Sequence, residues 1–367
     1  MADNYSLRES VNRVFDSSFV YYDRVVRVLT NGFQECHSGK NDGQNVILYG
    51  DGGYGKSQMS LKFARVALNG DEKAIFIKSV GASTREDEMW GGLDLLSLRE
   101  GDSIRYLLKN SFLNYKIVIF EELFDLPDRI LLDLKDTLSA REFRRGDISY
   151  PSSNRMIIAC TNTPPGEVAK RGSDAKALVD RFPLQLKVEW PRHDSRDYIA
   201  MLRKQVPEHQ SLAPLLAEIC TGVVGKGTKP VPPRLAIAAL HAIANEPKAC
   251  GRVAVVPDDL QILLDLAPFC NIQKEASDRI TQALSRFGDT LRLNRIKIES
   301  EELLRQHASV KPGDLETFVG IEAELGKLQA ELQTLIIPGE KAEGFALKQE
   351  VARSITTALR EKRRDKR

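Results

Sequence analysis

The segment GDGGYGKS, from Gly50 to Ser57, places four glycines, a lysine and a hydroxyl within eight residues. It fits the pattern GxxxxGK[ST], which binds phosphate where it follows a strand and opens a helix. Glycines let backbone N–H groups turn inward around an anion, and the following helix N-terminus favours negative charge. In such a loop Lys56 reaches the β and γ phosphates and Ser57 ligates Mg²⁺. A flexible turn needs neither side chain, so the segment predicts a nucleotide site.

Two acids, Glu121 and Glu122, follow the apolar run IVIF. Residues at the carboxyl end of a parallel strand face the crevice in which α/β sheets bind ligands. One acid there can hold Mg²⁺, and the next can orient or deprotonate an attacking water. The alternative is an acidic strand end that caps the next helix. We favour the first interpretation because the acids complement Lys56 and Ser57 in one site.

These residues need a scaffold, and the first half of the chain alternates short apolar runs with helical patterns. One helical pattern covers 24–36, and another, over 57–68, follows the glycine loop directly. This alternation predicts an α/β fold with a parallel sheet covered on both faces. The five predicted strands are NVILY (45–49), KAIFIKSV (73–80), YKIVIFEE (115–122), RMIIACTN (155–162) and PLQLKVEW (183–190).

Five motifs in this order resemble those of AAA+ ATPases, and within them the MoxR/RavA-like branch, over roughly residues 15–265. GDGGYGKS resembles Walker A, IVIFEE resembles Walker B with Glu122 as the catalytic carboxylate, and ACTNTPP places Asn162 as sensor 1. The resemblance implies an ATP hydrolase with ATP and Mg²⁺ as cofactors. The expected nucleotide-binding residues are Gly50, Asp51, Gly52, Gly53, Tyr54, Gly55, Lys56 and Ser57.

The resemblance also implies metal ligands and two catalytic arginines. Ser57 and Glu121 are the expected Mg²⁺ ligands, although Walker B usually ends in Asp-Glu, and the longer Glu121 side chain could alter metal preference or slow turnover. AKALVDRFP resembles the arginine-finger segment with Arg181, and VPPRLAIAAL resembles the sensor-2 helix start with Arg234. In the family such a finger acts in trans, on the nucleotide of a neighbouring subunit. We therefore expect a homo-oligomeric ring, a hexamer by resemblance.

Two predicted hairpins lie where the branch carries inserts. The first is LLSLREGDSIRYL (95–107), with Glu100-Gly101-Asp102 as its turn, and the second is REFRRGDISYPSSNR (141–155), with a turn around Arg145-Gly146-Asp147. Arg141, Arg144 and Arg145 cluster at the second hairpin. They could contact a substrate in the pore, or they could form a solvated or intersubunit salt-bridge face.

Strand signals end near residue 190, and helical spacing takes over. Four helical patterns cover 194–206, 212–221, 234–245 and 257–266. Farther on, an amphipathic stripe runs from Ala276 to Phe287, and apolar residues at spacings of three and four run from Phe318 to Leu335. A last helix, over 340–359, leads to a basic tail. We expect an ATPase core at 1–190, an all-α lid at 191–270 and a C-terminal helical region at 271–367.

The composition argues against some classes of function and predicts the cellular compartment. The net charge of +2 shows no broad basic excess, and no added DNA-binding domain is evident, so nucleic acid is possible but not favoured. Five cysteines without CxxC spacing predict free thiols in a reducing compartment. The polar start and the lack of an apolar stretch of about 18 residues predict a cytoplasmic protein with no membrane contact.

The favoured function is chaperone-like remodelling of a protein client by an ATP-driven ring. In this branch the client often contains a von Willebrand factor A domain. The alternatives are a DNA-binding AAA+ motor that uses the hairpins as MCM proteins do, and a slowly hydrolysing, nucleotide-gated scaffold. GTP is disfavoured because the sequence shows no clear NKxD motif.

Overall fold

The computed structural model describes residues 6–34, 43–95, 99, 106–108, 111–145, 148–222, 229–310, 314–335 and 342–365. The chain divides into two compact units, Met1–Arg192 and His193–Arg367. No helix among the described residues is long and apolar enough to cross a lipid bilayer.

A parallel sheet lies at the centre of the first unit. Its strands are β1 (Val46–Tyr49), β2 (Ile75–Ser79), β5 (Ile117–Glu121), β8 (Met156–Thr161) and β9 (Leu184–Lys187). They are hydrogen-bonded in the order β2–β5–β8–β1–β9, and every pairing is parallel. This confirms the predicted α/β class and the five-stranded parallel sheet.

Helices cover both faces of this sheet because its central strands are apolar on both sides. The helices are α1 (Leu7–Asp16), α2 (Asp23–Phe33), α3 (Lys56–Ala67), α4 (Glu86–Trp90), α5 (Asp128–Ala140), α6 (Pro165–Ala169) and α7 (Ser173–Val179). Alternate residues of β5 enter different cores: Ile119 packs with Phe63 of α3, whereas Phe120 packs with Leu134 of α5.

Two antiparallel strand pairs extend from this core. In the first, β3 (Gly92–Leu93) pairs with β4 (Tyr106–Leu107), so its first strand lies before the predicted range. The second is the hairpin of β6 (Glu142–Arg145) with β7 (Ile148–Pro151), which confirms the prediction there. The predicted turns at 100–102 and 146–147 lie outside the described residues.

The second unit is built from helices, and its described residues contain no strand. Its α-helices are α8 (Ser195–Gln205), α9 (Ala213–Gly222), α10 (Pro233–Ala249), α11 (Gln273–Ser309), α12 (Leu315–Thr334) and α13 (Ala342–Asp365). The segment predicted as a helix near 257–266 is a 3₁₀ helix, Pro257–Asp265. The two predicted apolar stripes lie on α11 and α12. The boundary at 270, between a lid and a C-terminal region, stays a prediction.

The C-terminal helices share one apolar core. Leu293 and Ile296 of α11 pack with Leu325 and Leu332 of α12 and with Ile355 of α13. The earlier part of α11 contacts α9 and the 3₁₀ helix instead. One continuous helix therefore joins both helical groups of the second unit.

Candidate nucleotide site

The strand order brings three strand ends together at one edge of the sheet. Tyr49 at the end of β1 pairs with Thr161 of β8, and Cys160 of β8 pairs with Glu121 of β5. Because β8 lies between β1 and β5, Asn162 follows a strand that separates the glycine loop from the acids. The main-chain N–H of Glu122 extends the ladder by donating to the Cys160 carbonyl at 2.7 Å.

The glycine loop has positive φ angles, which glycine adopts easily, at three positions: Gly50, Gly53 and Gly55. Gly50 has φ +132°, and a Cβ there would lie 2.7 Å from the Val188 carbonyl oxygen. Gly55 has φ +83° and immediately precedes α3, so Lys56 and Ser57 form the first turn of that helix. The loop thus places a lysine and a hydroxyl where free helix N–H groups attract anions.

Lys56 is buried, with 7% of its surface exposed, and its ammonium points back into the loop. Nζ donates to the carbonyl oxygens of Gly50 at 2.7 Å and Asp51 at 2.9 Å, and to Asn162 Oδ1 at 3.0 Å. A buried ammonium needs such acceptors because desolvation penalises its charge. Phosphate oxygens are stronger acceptors than carbonyls, so a bound phosphate would compete with these carbonyls for the ammonium.

Asn162 connects the lysine to the second acid. Its Oδ1 accepts from Lys56, while its Nδ2 donates to Glu122 Oε1 at 2.7 Å. The main-chain N–H of Asn162 also donates to Glu122 Oε2 at 3.2 Å. These two hydrogen bonds fix the side-chain amide of Asn162 in one orientation, because its oxygen must accept from Lys56 and its nitrogen must donate to Glu122. Lys56, Asn162 and Glu122 form one hydrogen-bonded line across the strand ends.

Glu122 has an unusual backbone for an acid. Its φ of +56° lies in the left-handed region, which non-glycine residues adopt rarely and at a cost. The strand ends here and a 3₁₀ turn, Leu123–Asp125, begins. The turn directs Glu122 back towards β8, where Thr161 Oγ1 donates to its Oε2 at 3.4 Å.

The two expected Mg²⁺ ligands lie on adjoining parts of this edge. Ser57 is the second residue of α3, and Glu121 ends β5 in a partly exposed position. Hydroxyl and carboxylate oxygens suit a hard cation such as Mg²⁺. Burial raises the pKa of the neighbouring Cys160 thiol to about 11, and hydrogen bonds with Ser60 and Ser57 oppose that rise. Cys160 is therefore a neutral packing group at neutral pH.

Tyr54 lies within the loop and packs on aromatic rings. Its ring meets Trp190 edge-on at 6.3 Å, and Trp190 meets Tyr21 at 6.0 Å. Burial, together with the charges of Asp51 and Glu189, raises the pKa of Tyr54. Tyr54 is therefore neutral and supports the loop by packing.

The two predicted catalytic arginines belong to different compact units of the chain. Arg181 is exposed, and its Nε donates to Ser139 Oγ at 2.7 Å. Among the described residues its side chain makes no hydrogen bond to Lys56, Glu122 or Asn162. Arg234 is an exposed residue in the first turn of α10, in the second unit.

Two further residues support the site and were not found from the sequence. Thr161 holds Glu122, and Arg171 donates from Nη1 to the carbonyl of Phe124 at 2.6 Å, within the turn after Glu122. The sequence signal for Thr161 is its place directly before Asn162. Asn45 lies instead at the opposite end of β1, where it donates to the main-chain carbonyl of Arg181 at 3.2 Å and accepts from the N–H of Ile157.

Sheet order, glycine loop and paired acids together define an AAA+ ATPase. The chain belongs to the MoxR family, since residues 6–211 match the family described as bpMoxR, "MoxR domain in the MoxR-vWA-beta-propeller ternary systems".

Three solved structures are among those similar to this chain. A mutant of RuvB from Thermotoga maritima is 14% identical over 67% of this chain and 70% of its own, with a TM-score of 0.43. Hsp104 in the S. cerevisiae Hsp104:casein complex is 12% identical over 72% of this chain and 49% of its own, with a TM-score of 0.48. NtrX from Brucella abortus, in complex with ATP, is 12% identical over 88% and 69%, with a TM-score of 0.43.

Proposed function

We propose that this protein hydrolyses ATP in a ring of identical subunits and uses the energy to remodel a protein partner. The observation that supports hydrolysis best is the line from Lys56 through Asn162 to Glu122. It joins a phosphate-binding cation to a carboxylate that can act on water. A site that only bound nucleotide would need the lysine but not the other two.

The proposed reaction follows from how these side chains exchange partners. Lys56 leaves the loop carbonyls to bind the β and γ phosphates, which frees Asn162 Oδ1. Asn162 and Glu122 then orient a water, and Glu122 accepts a proton from it as the water oxygen bonds to the γ phosphorus and the bond from that phosphorus to the bridging oxygen of ADP breaks. Mg²⁺, held by Ser57 and Glu121, would neutralise charge on the phosphates.

The proposal of a ring rests on Arg181. An exposed arginine whose side chain, within the described part of the chain, makes no hydrogen bond to Lys56, Asn162 or Glu122 suits a role on the neighbouring subunit's nucleotide. Such arginines contribute on the order of 10³–10⁵ in rate in phosphoryl-transfer enzymes. We propose that the ring is a hexamer and that Arg234 acts as the sensor-2 residue of its own subunit. Turnover would then depend on assembly.

The partner is suggested by the family rather than by the site. The family description names ternary systems of MoxR, vWA and β-propeller domains. We propose a protein with a von Willebrand factor A domain as the client and chaperone-like remodelling as the task.

The nucleic-acid alternative loses support from the hairpin arginines. Arg141 donates to the carbonyls of Asn154 at 2.9 Å and Gly43 at 3.2 Å, and Arg145 is bound to carboxylates of its own chain. Only Arg144 is widely exposed among these three, and it pairs with Glu142. DNA-stimulated turnover with a steep salt dependence would restore that alternative.

Mixing two inactive variants tests the shared site. In rings of Arg181→Ala and Lys56→Ala subunits, an intact pocket can meet an intact finger at about one interface in four. We expect phosphate release to recover towards that share of wild-type activity. Lys56→Ala mixed with Glu122→Gln is the matched control and should recover nothing, because both defects lie in the pocket. Equal inactivity of both mixtures, in rings shown to contain both subunits, would contradict the shared site.

A further inference from the structure

We propose that the first strand pair, the second hairpin and helix α5 form one mechanical unit, with Arg145 as the positioning residue that joins them. This rests on the proposed ATP-driven function and concerns how movement reaches both the first strand pair and the second hairpin. The first strand pair is β3–β4 with its leading helix α4, and the second hairpin is β6–β7.

Arg145 connects three elements through its guanidinium. It lies at the end of β6 and pairs with the carboxylate of Asp133 on α5. Its Nη2 also donates to Glu86 Oε2, on α4, at 3.2 Å. Glu86 in turn pairs with Arg129 of α5 at 2.7 Å. These contacts close a ring of interactions from β6 to α5, to α4 and back.

An aromatic stack joins the same elements on the apolar side. Trp90 at the end of α4 lies parallel to Phe143 of β6, with ring centroids 4.3 Å apart. Tyr106 of β4 meets Phe143 edge-on at 5.9 Å, and its N–H donates to Tyr150 OH at 3.0 Å. The guanidinium of Arg145 lies 5.0 Å from the centroid of the Phe143 ring, so the polar and aromatic contacts are adjacent.

Burial distinguishes Arg145 from its neighbour Arg144. The Arg145 side chain is 27% exposed and that of Asp133 is 23% exposed, whereas the Arg144 side chain is 71% exposed. Exposed ion pairs are screened by water and contribute little, but a partly buried arginine held by two carboxylates is restrained. A lysine cannot replace it, because an ammonium lacks the planar fork that spans two acceptors.

The position of α5 connects this unit to the nucleotide site. Only the 3₁₀ turn and two residues separate Glu122 from Asp128, the first residue of α5. A rearrangement at Glu122 on nucleotide binding would therefore shift α5 and, through Arg145, the first strand pair and the second hairpin together. Without Arg145, α4 would follow only through the Arg129–Glu86 pair and the Trp90–Phe143 stack, so it would move less than the second hairpin.

Amide hydrogen exchange of the nucleotide-free full chain tests this joint, which is the connection of α4, α5 and β6–β7 through Arg145. Losing charge-assisted hydrogen bonds should speed amide exchange roughly tenfold in both α4 and β6–β7 of Arg145→Ala. Arg145→Lys should show a rise in α4 as well, and the matched control Arg144→Ala should show neither. A rise confined to β6–β7, or an equal rise in Arg144→Ala, would overturn the proposal. Should Arg145→Ala fail to fold, Glu86→Gln removes the charge of the α4 carboxylate that pairs with Arg145 and Arg129, and it should still speed exchange in both elements.

ATP separates this inference from the proposed function. In a Glu122→Gln background, ATP should change exchange in α4 and β6–β7 together, and adding Arg145→Ala should make the response of α4 clearly smaller than that of β6–β7. If the two responses stay equal without Arg145, the joint is wrong. If neither responds to ATP although the nucleotide-free joint is confirmed, the joint stands and the ATP-driven motion is wrong.

Discussion

The two compact units of this chain use polar side chains in different ways. In the first unit, Lys56, Asn162 and Glu122 are bonded to one another at the strand ends. In the second, ion pairs such as Arg295 with Glu331 lie beside an apolar helical core. The first arrangement concentrates reactive groups, and the second aligns helices. The comparison indicates that the hydrogen-bonded line of phosphate-binding groups lies in the first unit, whereas the contribution proposed for the second unit to catalysis is Arg234.

The largest expected effect is a loss of phosphate release when Glu122 is substituted. Glu122→Gln keeps the hydrogen bond from Asn162 but removes the base, so phosphate release should fall on the order of 10²–10⁴-fold while ATP still binds. Phosphate-release assays and calorimetry measure the two quantities. Asp128→Asn, an exposed change in the same segment, should alter turnover by less than about twofold. Unchanged turnover in Glu122→Gln would remove the catalytic carboxylate from this site.

Substitutions in the second unit should change the free energy of unfolding rather than phosphate release. Leu325 on α12 is fully buried, and Leu325→Ala should lower the free energy of unfolding by about 2–5 kcal/mol. Val319 on the same helix is 55% exposed, so Val319→Ala should cost less than about 0.5 kcal/mol. Denaturant unfolding measures both. A large loss of ATP affinity in folded Leu325→Ala would break the division between the units.

Nucleotide affinity should depend on Lys56. Lys56→Ala removes charge-assisted hydrogen bonds to phosphate, and we expect the ATP dissociation constant to rise by roughly 10²-fold. Lys62→Ala lies on the same helix, near Ser18 and Phe19, and serves as the matched control with near-normal affinity. Calorimetric titration with ATP compares them. Equal affinities for the two variants would place the phosphates elsewhere.

The smallest expected effect concerns Glu121. Glu121→Asp restores the usual acid of this motif, and repositioning one oxygen should change turnover by less than about tenfold. Turnover measured against Mg²⁺ concentration is the readout, and Glu121→Gln, which removes the charge, should be the slower variant. A marked gain with Asp would mean that the native glutamate restrains hydrolysis, in agreement with the scaffold alternative. Slower turnover with Asp than with Gln would exclude Glu121 as a metal ligand.

The local pattern of apolar and polar residues was enough to predict much of the fold. Apolar runs between helical segments predicted β1, β2, β5, β8 and β9, because buried parallel strands need apolar side chains on both faces. Helical periodicity predicted the second unit but not the 37-residue length of α11. A single helix can contact different partners along its length, and the sequence does not show where those partners change.

The pattern failed where a side chain's role depends on distant partners. Arg144 and Arg145 are adjacent and identical in type, yet Arg144 is exposed and Arg145 is held by two carboxylates. Asp133 and Glu86 lie 12 and 59 residues away from Arg145 in the chain. Strand alternation puts Arg145 on the same face as the buried Phe143, but nothing local to the arginines identifies those carboxylate partners.

The sequence by itself determined which groups this protein has for phosphate chemistry, since the glycine loop, Lys56, Ser57 and the acids are recognisable by type and spacing. The tertiary structure alone decided how they meet. Asn162 comes after the acids in the chain, but β8 pairs between β1 and β5 and so places Asn162 between Lys56 and Glu122. Strand order depends on long-range pairing and packing, which local spacing does not encode.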